Sequence, residues 1–452
     1  MTGREVLGLA SAEELRERRR RLVQGLEPRD LGLVPGAPFP DRSVPFRQGN
    51  ELFYLTGLEI PGSYLLIEGG EGRSTVYLPH RDERRERVDG PGAWAEDVDA
   101  VVERSGVDAV AAVETLPAAL AHRLVRPLTL HVPHAPVEGE RQSRDTVLAA
   151  TAARLGDPFR PEGLASSSLV RALAEAFPSA AIADLTPALD ALRLVKSESE
   201  LAAIRAASEL CGRAVIEAMR STAPGVREYE LAAVAEFVFR EAGAAGGSYE
   251  AIVATGTNAW HGHYIAKDAE LQAGELVLMD YAPDLDHYTS DIGRMWPVSG
   301  EWEGWQLELY GFILRYHRAL LARLRPGVTA DAVLDDAAEE MREVFAQTSW
   351  SAPEFERSAE SALSFRGHLS HPVGLAVHDV GSYKERPLEV GLVLTVDPML
   401  WVPERRLYVR CEDTVAVVEG GIENLTGFVP LEPAEIEATL KEQGLLQTWR
   451  NR

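Results

Sequence analysis

Cysteine is almost missing from this sequence: Cys211 and Cys411 are the only two in 452 residues. That excludes a disulfide framework and a thiolate zinc cluster, and leaves open one bridge between the two. Any metal must therefore be held by carboxylates and imidazoles. Positive charge is also short. Forty-six lysines and arginines stand against 70 aspartates and glutamates, a formal charge of -24 and a pI near 5.0. Such a chain repels phosphate backbones and anionic lipid surfaces, so neither nucleic acid nor a membrane is expected as a partner. No run of about 18 apolar residues occurs anywhere, so no membrane span is expected. The opening residues lack the apolar segment a signal peptide needs. A cytoplasmic protein is expected.

The length is too great for one ordinary core, and two domains are expected, at 1–178 and 179–452. Residues 11–26 read as a basic amphipathic helix whose run Arg18 to Arg21 forms a solvated face rather than a nucleic-acid patch. Strand-like runs follow at 52–56, 63–68 and 74–79. Helical patterns come next near 95–105 and 116–125, then a short strand near 129–132 and further helices to about 178. The pattern changes between Pro178 and Pro187. Ser197 and Glu200 then make a capping box, and Leu201, Ile204, Cys211, Val215 and Ala218 recur at helical spacing. A second helix is expected at about 228–242, closed by a glycine-rich stretch. A long helical region from about 302 to 347 sits among strands. The fold class is α/β with two domains.

Three segments carry the chemistry. In the first, the apolar strand Leu276 to Met279 ends in Asp280, Pro283 to Asp286 supply a turn, and the returning strand carries Asp291. Such a hairpin can aim both carboxylates at one point. A carboxylate ending so apolar a strand needs a cation, a hydrogen-bond cluster or solvent, because burying it unpaired costs several kcal/mol. In the second, His368, His371 and His378 fall within eleven positions, although the whole chain has eleven histidines. They lie among glycine and apolar residues rather than solvating charge, which points to a site. In the third, Leu392 to Val396 ends in Asp397, and Tyr408-Val409-Arg410-Cys411-Glu412-Asp413 again interrupts β-branched runs with carboxylates. Strand-borne carboxylates with imidazole and no thiolate suit Mn²⁺, Co²⁺ or Zn²⁺. Bridging carboxylates would hold paired ions that activate one water, as aminopeptidases do.

The ordered set Asp280, Asp291, His371, Asp397 and Glu412 resembles the five-ligand signature of the pita-bread metallopeptidases. The run Pro45 to Gly57 and the link Leu192 to Glu200 resemble the aminopeptidase P and prolidase members, so the likeness extends over nearly the whole chain. The resemblance implies an N-terminal creatinase/prolidase-like α/β domain followed by a C-terminal pita-bread (α+β) catalytic domain. It implies two divalent ions, foremost Mn²⁺, with Asp280 on one, Asp291 and Glu412 bridging both, and His371 with Asp397 completing the second. His263 and His378 would position the peptide, His378 would aid proton transfer, Arg410 matches the arginine of an Arg-x-Glu-Asp motif, and Asp397 would take the proton of the attacking water. The implied activity is Xaa-Pro aminopeptidase, on peptides with proline at the second position. Prolidase is the runner-up, ahead of a metal-free or creatinase-like pita-bread protein. A homo-oligomer, dimer or tetramer, is also implied.

Two positions depart from the family pattern. Relatives have glutamate where this chain has Asp397, which is one methylene, or about 1.5 Å, shorter. Either the backbone at 396–398 is shifted or activity is weakened. Relatives also read His-Gly-x-x-His where this chain reads Gly367-His368-Leu369-Ser370-His371, which leaves His368 outside the ligand set.

Overall fold

The computed structural model describes residues 10–40, 45–70, 72–124, 128–156 and 165–450. The first nine residues, read above for a signal peptide, lie outside the described residues, as does the part of the expected helical stretch at 157–164. The chain divides into two compact units, Met1–Arg193 and Leu194–Arg452.

In the first unit, β1 (Leu31–Pro35), β2 (Tyr64–Glu68), β3 (Ser74–Leu78), β4 (Ala109–Ala112), β5 (Thr129–Val132) and β6 (Ala181–Asp184) form one mixed sheet in the order β4-β3-β2-β1-β5-β6. β6 pairs in parallel with β5, Thr129 opposite Ala181 and Val132 opposite Asp184. That pairing keeps the segment after Pro178 in this unit, so the division falls at Arg193/Leu194 rather than where the sequence pattern changes.

Two expectations for this unit need correction. Residues 52–56, read as a strand, belong to a helix, Asn50–Thr56, that is buried on every side. A short run that is apolar all round has no periodicity to distinguish helix from strand. Gly57, at φ 64, ends the helix by returning its N–H to the Phe53 carbonyl. Arg18 and Arg19, read as part of a solvated face, are buried. Arg19 donates to the carbonyls of Leu55 at 2.6 Å, Ser105 at 3.0 Å and Gly106 at 2.6 Å, and Arg18 to that of Tyr54 at 3.0 Å. The two guanidiniums thereby satisfy the carbonyls at the ends of Asn50–Thr56 and Val98–Ser105, which no helical N–H can reach.

In the second unit, β7 (Ile252–Thr255), β8 (Leu276–Asp280), β9 (Ile292–Pro297), β10 (Val393–Val396) and β13 (Glu412–Val418) form an antiparallel sheet in the order β10-β13-β9-β8-β7. β11 (Met399–Val402) and β12 (Leu407–Arg410) make a separate hairpin, and β14 (Gly421–Asn424) pairs with β13. The helix Glu198–Arg220 opens with the Ser197/Glu200 capping box, and Glu228–Glu241 follows it. The helical region expected at 302–347 is two helices, Gly304–Leu321 and Ala330–Gln347, with Pro326 and Gly327 in the turn between them. Ala207, Cys211 and Val215 from Glu198–Arg220 and Leu309 and Ile313 from Gly304–Leu321 share one apolar core with Val277, Met279 and Trp296 of the sheet. Both cysteines are buried and free, so the bridge left open by the sequence is not formed. Among the described residues no helix is long and apolar enough to cross a membrane.

Candidate metal centre

Strand register places the acidic residues together. Asp280, the last residue of β8, lies opposite Gly293 of β9, and Gly293 lies opposite Glu412, the first residue of β13. Directly opposed residues on neighbouring strands face the same side, so the two carboxylates flank a position with no side chain. Asp291 directly precedes β9 and is pinned to β13: its N–H donates to the Thr414 hydroxyl at 3.0 Å, which donates back to its carbonyl at 2.7 Å. Asp397 directly follows β10.

The histidine segment runs along the outer edge of β10. Val373 N–H donates to the Val393 carbonyl at 3.1 Å, Thr395 N–H to that of His371 at 2.9 Å, and Asp397 N–H to that of Leu369 at 3.3 Å. This lacing fixes His371 with its Nε2 3.3 Å from Asp291 Oδ2. One ligand atom each from Asp291, His371 and Glu412 lie within 4.8 Å of one another. Arg410 joins the rest: its Nη2 is 3.1 Å from Asp280 Oδ2 and contacts Glu412 Oε2, and its Nε is 3.2 Å from Asp397 Oδ1. The His378 ring stands 4.2 Å from that of His371 and 6.2 Å from that of His263. His263 is exposed and His378 half-buried, so the three imidazoles lead outward from the acidic cluster. His368 takes no part in this cluster and packs edge-on against Phe365, ring centroids 4.9 Å apart.

Two groups in the site escape sequence reasoning. The Tyr249 hydroxyl lies 2.6 Å from Asp280 Oδ1 and 2.9 Å from Asp291 Oδ1, so it can donate to either. The only local signal is an aromatic residue after Gly246-Gly247-Ser248, which has no spacing that marks a site. Lys196 is 3.1 Å from Asp379 Oδ2, both side chains sealed from solvent, and this pair anchors the loop that carries His378.

Asp280, Asp291, Asp397 and Glu412 are all buried, and the guanidinium of Arg410 lies among them. Burial pushes the Asp280 carboxyl up and the charge on Asp291 pushes it further, to about 7. Burial also works to raise Asp291, but His371, Arg410 and Tyr249 outweigh it and hold the group down at about 2. Asp397 is raised by burial, an effect that Arg410 only partly offsets. Asp397 Oδ1 and Glu412 Oε2 are shut off from solvent without a well-formed hydrogen bond. An excess of buried negative charge is stable only beside cations. Carboxylate oxygens with one imidazole and no thiolate are the donor set for a hard-to-borderline divalent ion. The residues therefore fit divalent metal.

Comparison with known proteins agrees with this chemistry. Residues 202–419 match the metallopeptidase family M24, and residues 15–130 match the aminopeptidase P N-terminal domain. The chain is 31% identical to the Xaa-Pro aminopeptidase of Escherichia coli (strain K12) over 451 residues, covering 95% of this chain and 98% of that one. It is 30% identical to the Xaa-Pro dipeptidase of Pyrococcus furiosus over 268 residues, which cover 59% of this chain and 72% of that one. Among solved structures, zinc-substituted Escherichia coli aminopeptidase P in complex with product superposes with a TM-score of 0.76 at 30% identity, covering 95% of this chain and 98% of that one. Pseudomonas aeruginosa aminopeptidase PepP superposes with a TM-score of 0.76 at 27% identity, covering 96% and 98%.

Proposed function

Because the chain belongs to the Xaa-Pro aminopeptidase and prolidase family of pita-bread metallopeptidases, we propose that it hydrolyses the bond between an N-terminal residue and a following proline. The observation that carries this reading is the convergence of four buried carboxylates, His371 and Arg410 at the ends of adjoining strands. Asp280, Asp291, His371, Asp397 and Glu412 would hold two divalent ions, foremost Mn²⁺, with Co²⁺ or Zn²⁺ as alternatives. Bound there, such ions supply Lewis acidity that makes water a nucleophile at neutral pH and steadies charge on the carbonyl oxygen.

The chain's own groups do the rest. Asp397, raised by burial, accepts the proton of the attacking water. His378 and His263, on the outer side of His371, hold the peptide carbonyl and deliver a proton to the departing proline nitrogen. Arg410 keeps three carboxylates in one geometry, and Tyr249 ties one of them, Asp280, to Asp291.

A strict dipeptidase is the alternative. The aminopeptidase relative spans nearly all of this chain and the dipeptidase relative little more than half, which favours the aminopeptidase. Family membership also supports a cytoplasmic homo-oligomer of two or four chains, acting on peptides and binding neither nucleic acid nor membrane. The deciding experiment strips the protein of metal, adds back Mn²⁺, Co²⁺ or Zn²⁺, and measures release of the first residue from Xaa-Pro dipeptides and Xaa-Pro-Xaa tripeptides. Tripeptide cleavage is expected. Cleavage of dipeptides alone moves the reading to prolidase, and absence of both turnover and bound ion rejects the enzyme.

A further inference from the structure

We propose that a cavity beside Asp397 receives the side chain of the residue in front of the scissile bond and selects large apolar, above all aromatic, side chains there. This rests on the Xaa-Pro hydrolysis reading given above. The cavity measures about 190 Å³. Leu320 and Leu334 wall it from the helices Gly304–Leu321 and Ala330–Gln347, Ala362 from Pro353–Ser364, and Phe365, Met399 and Trp401 complete it. An apolar cavity of about 150 Å³ is enough to hold benzene, so this one has room for a phenyl ring.

Its position makes it a substrate pocket rather than a void in the core. Asp397 lines it, and Asp397 also contacts Arg410 in the acidic cluster. The pocket thus starts at the carboxylate that takes the proton of the water attacking the scissile carbonyl, and the side chain next to that carbonyl lies within its reach. The two positions at which the chain leaves its family's pattern meet here as well. Aspartate in place of glutamate draws the carboxylate back by about 1.5 Å. His368, one position away from the family's histidine, lines the same cavity against Phe365. Tyr316 lines it too, and the buried Tyr316 hydroxyl and His368 Nδ1 meet no hydrogen-bond partner among the described residues. Buried polar atoms left unsatisfied cost stability, so their retention here calls for a reason other than stability.

The test compares kcat/KM for Phe-Pro-Ala and Ala-Pro-Ala on the metal-loaded full chain. Phenylalanine is expected to be preferred by roughly tenfold or more, the discrimination an apolar pocket supplies. Ser361→Trp, at an exposed position lining the cavity, and Ala362→Phe, which fills it from within, are each expected to bring the Phe/Ala ratio close to one. The ratio is insensitive to a uniform loss of active protein, so a partly folded variant still reports. Equal kcat/KM for the two peptides in the unaltered protein, or a preference that survives both substitutions, overturns the pocket assignment and leaves Xaa-Pro hydrolysis standing. Failure to cleave any Xaa-Pro peptide overturns the activity, and this inference with it.

Discussion

A β-carbon on Gly293 would stand 2.7 Å from Nε of Arg410. The guanidinium has little freedom to retreat, because Asp280, Asp397 and Glu412 hold it. Gly293→Ala should therefore displace Arg410 and, through it, the carboxylates. Catalytic geometry is sensitive to shifts of about 1 Å, so kcat/KM on an Xaa-Pro peptide should fall by roughly a hundredfold. Steady-state kinetics alongside a melting curve check this, and undiminished turnover would mean that Arg410 does not set the geometry.

Tyr249→Phe removes the hydroxyl shared by Asp280 and Asp291. Groups that orient metal ligands contribute about 10–100-fold in metal affinity, and a loss of that size is the expected result. Titration of the metal-free protein with Mn²⁺ in a chelator buffer measures it. Equal affinity in the variant would reduce Tyr249 to packing.

Lys196 and Asp379 are a sealed ion pair, and replacing the lysine by an apolar side chain takes the cation away from a buried carboxylate. Lys196→Met should destabilise the second unit by about 3–5 kcal/mol, and adding Asp379→Asn should recover much of that loss. Urea unfolding of the single and double variants decides the matter. A double variant no more stable than the single one would show that the pair's charge is not what matters.

His317 is buried beside Asp413, and burial depresses its pKa from 6.5 to about 4 although Asp413 works the other way. The folded chain therefore leaves this histidine neutral in a range where the unfolded chain protonates it. Its contribution is fully present above pH 6.5 and is lost as pH falls towards 4. The whole effect is on the order of 3 kcal/mol. Unfolding midpoints at pH 7 and pH 5 should converge in His317→Phe relative to the unaltered protein, and identical pH dependence would refute the assignment.

What the sequence makes legible here are violations of local rules. Asp280 and Asp397 end strands too apolar to finish in a charge, and the histidines crowd where solvating residues are absent, so each signal sits within a few residues. Tyr249 is different, and so is the direction in which Arg410, itself visible in its motif, points. The tyrosine meets carboxylates 31 and 42 residues away, and the arginine's direction depends on a glycine in a strand far from it in the chain. Such relations exist only after the strands align. Arg18 and Arg19 teach the same lesson in the first unit, since their role depends on the ends of two other helices. The helix at Asn50–Thr56 is hidden for another reason: a segment buried on all sides has no polar face to reveal its period.

The strip of backbone that seats His371 against β10 also occupies the outward-facing N–H and C=O groups of that strand. An uncovered strand of such apolar sequence invites pairing with a neighbouring molecule. Loosening the histidine segment would therefore expose an adhesive border as well as spoil a ligand, so damage to this loop should emerge first as self-association of the protein.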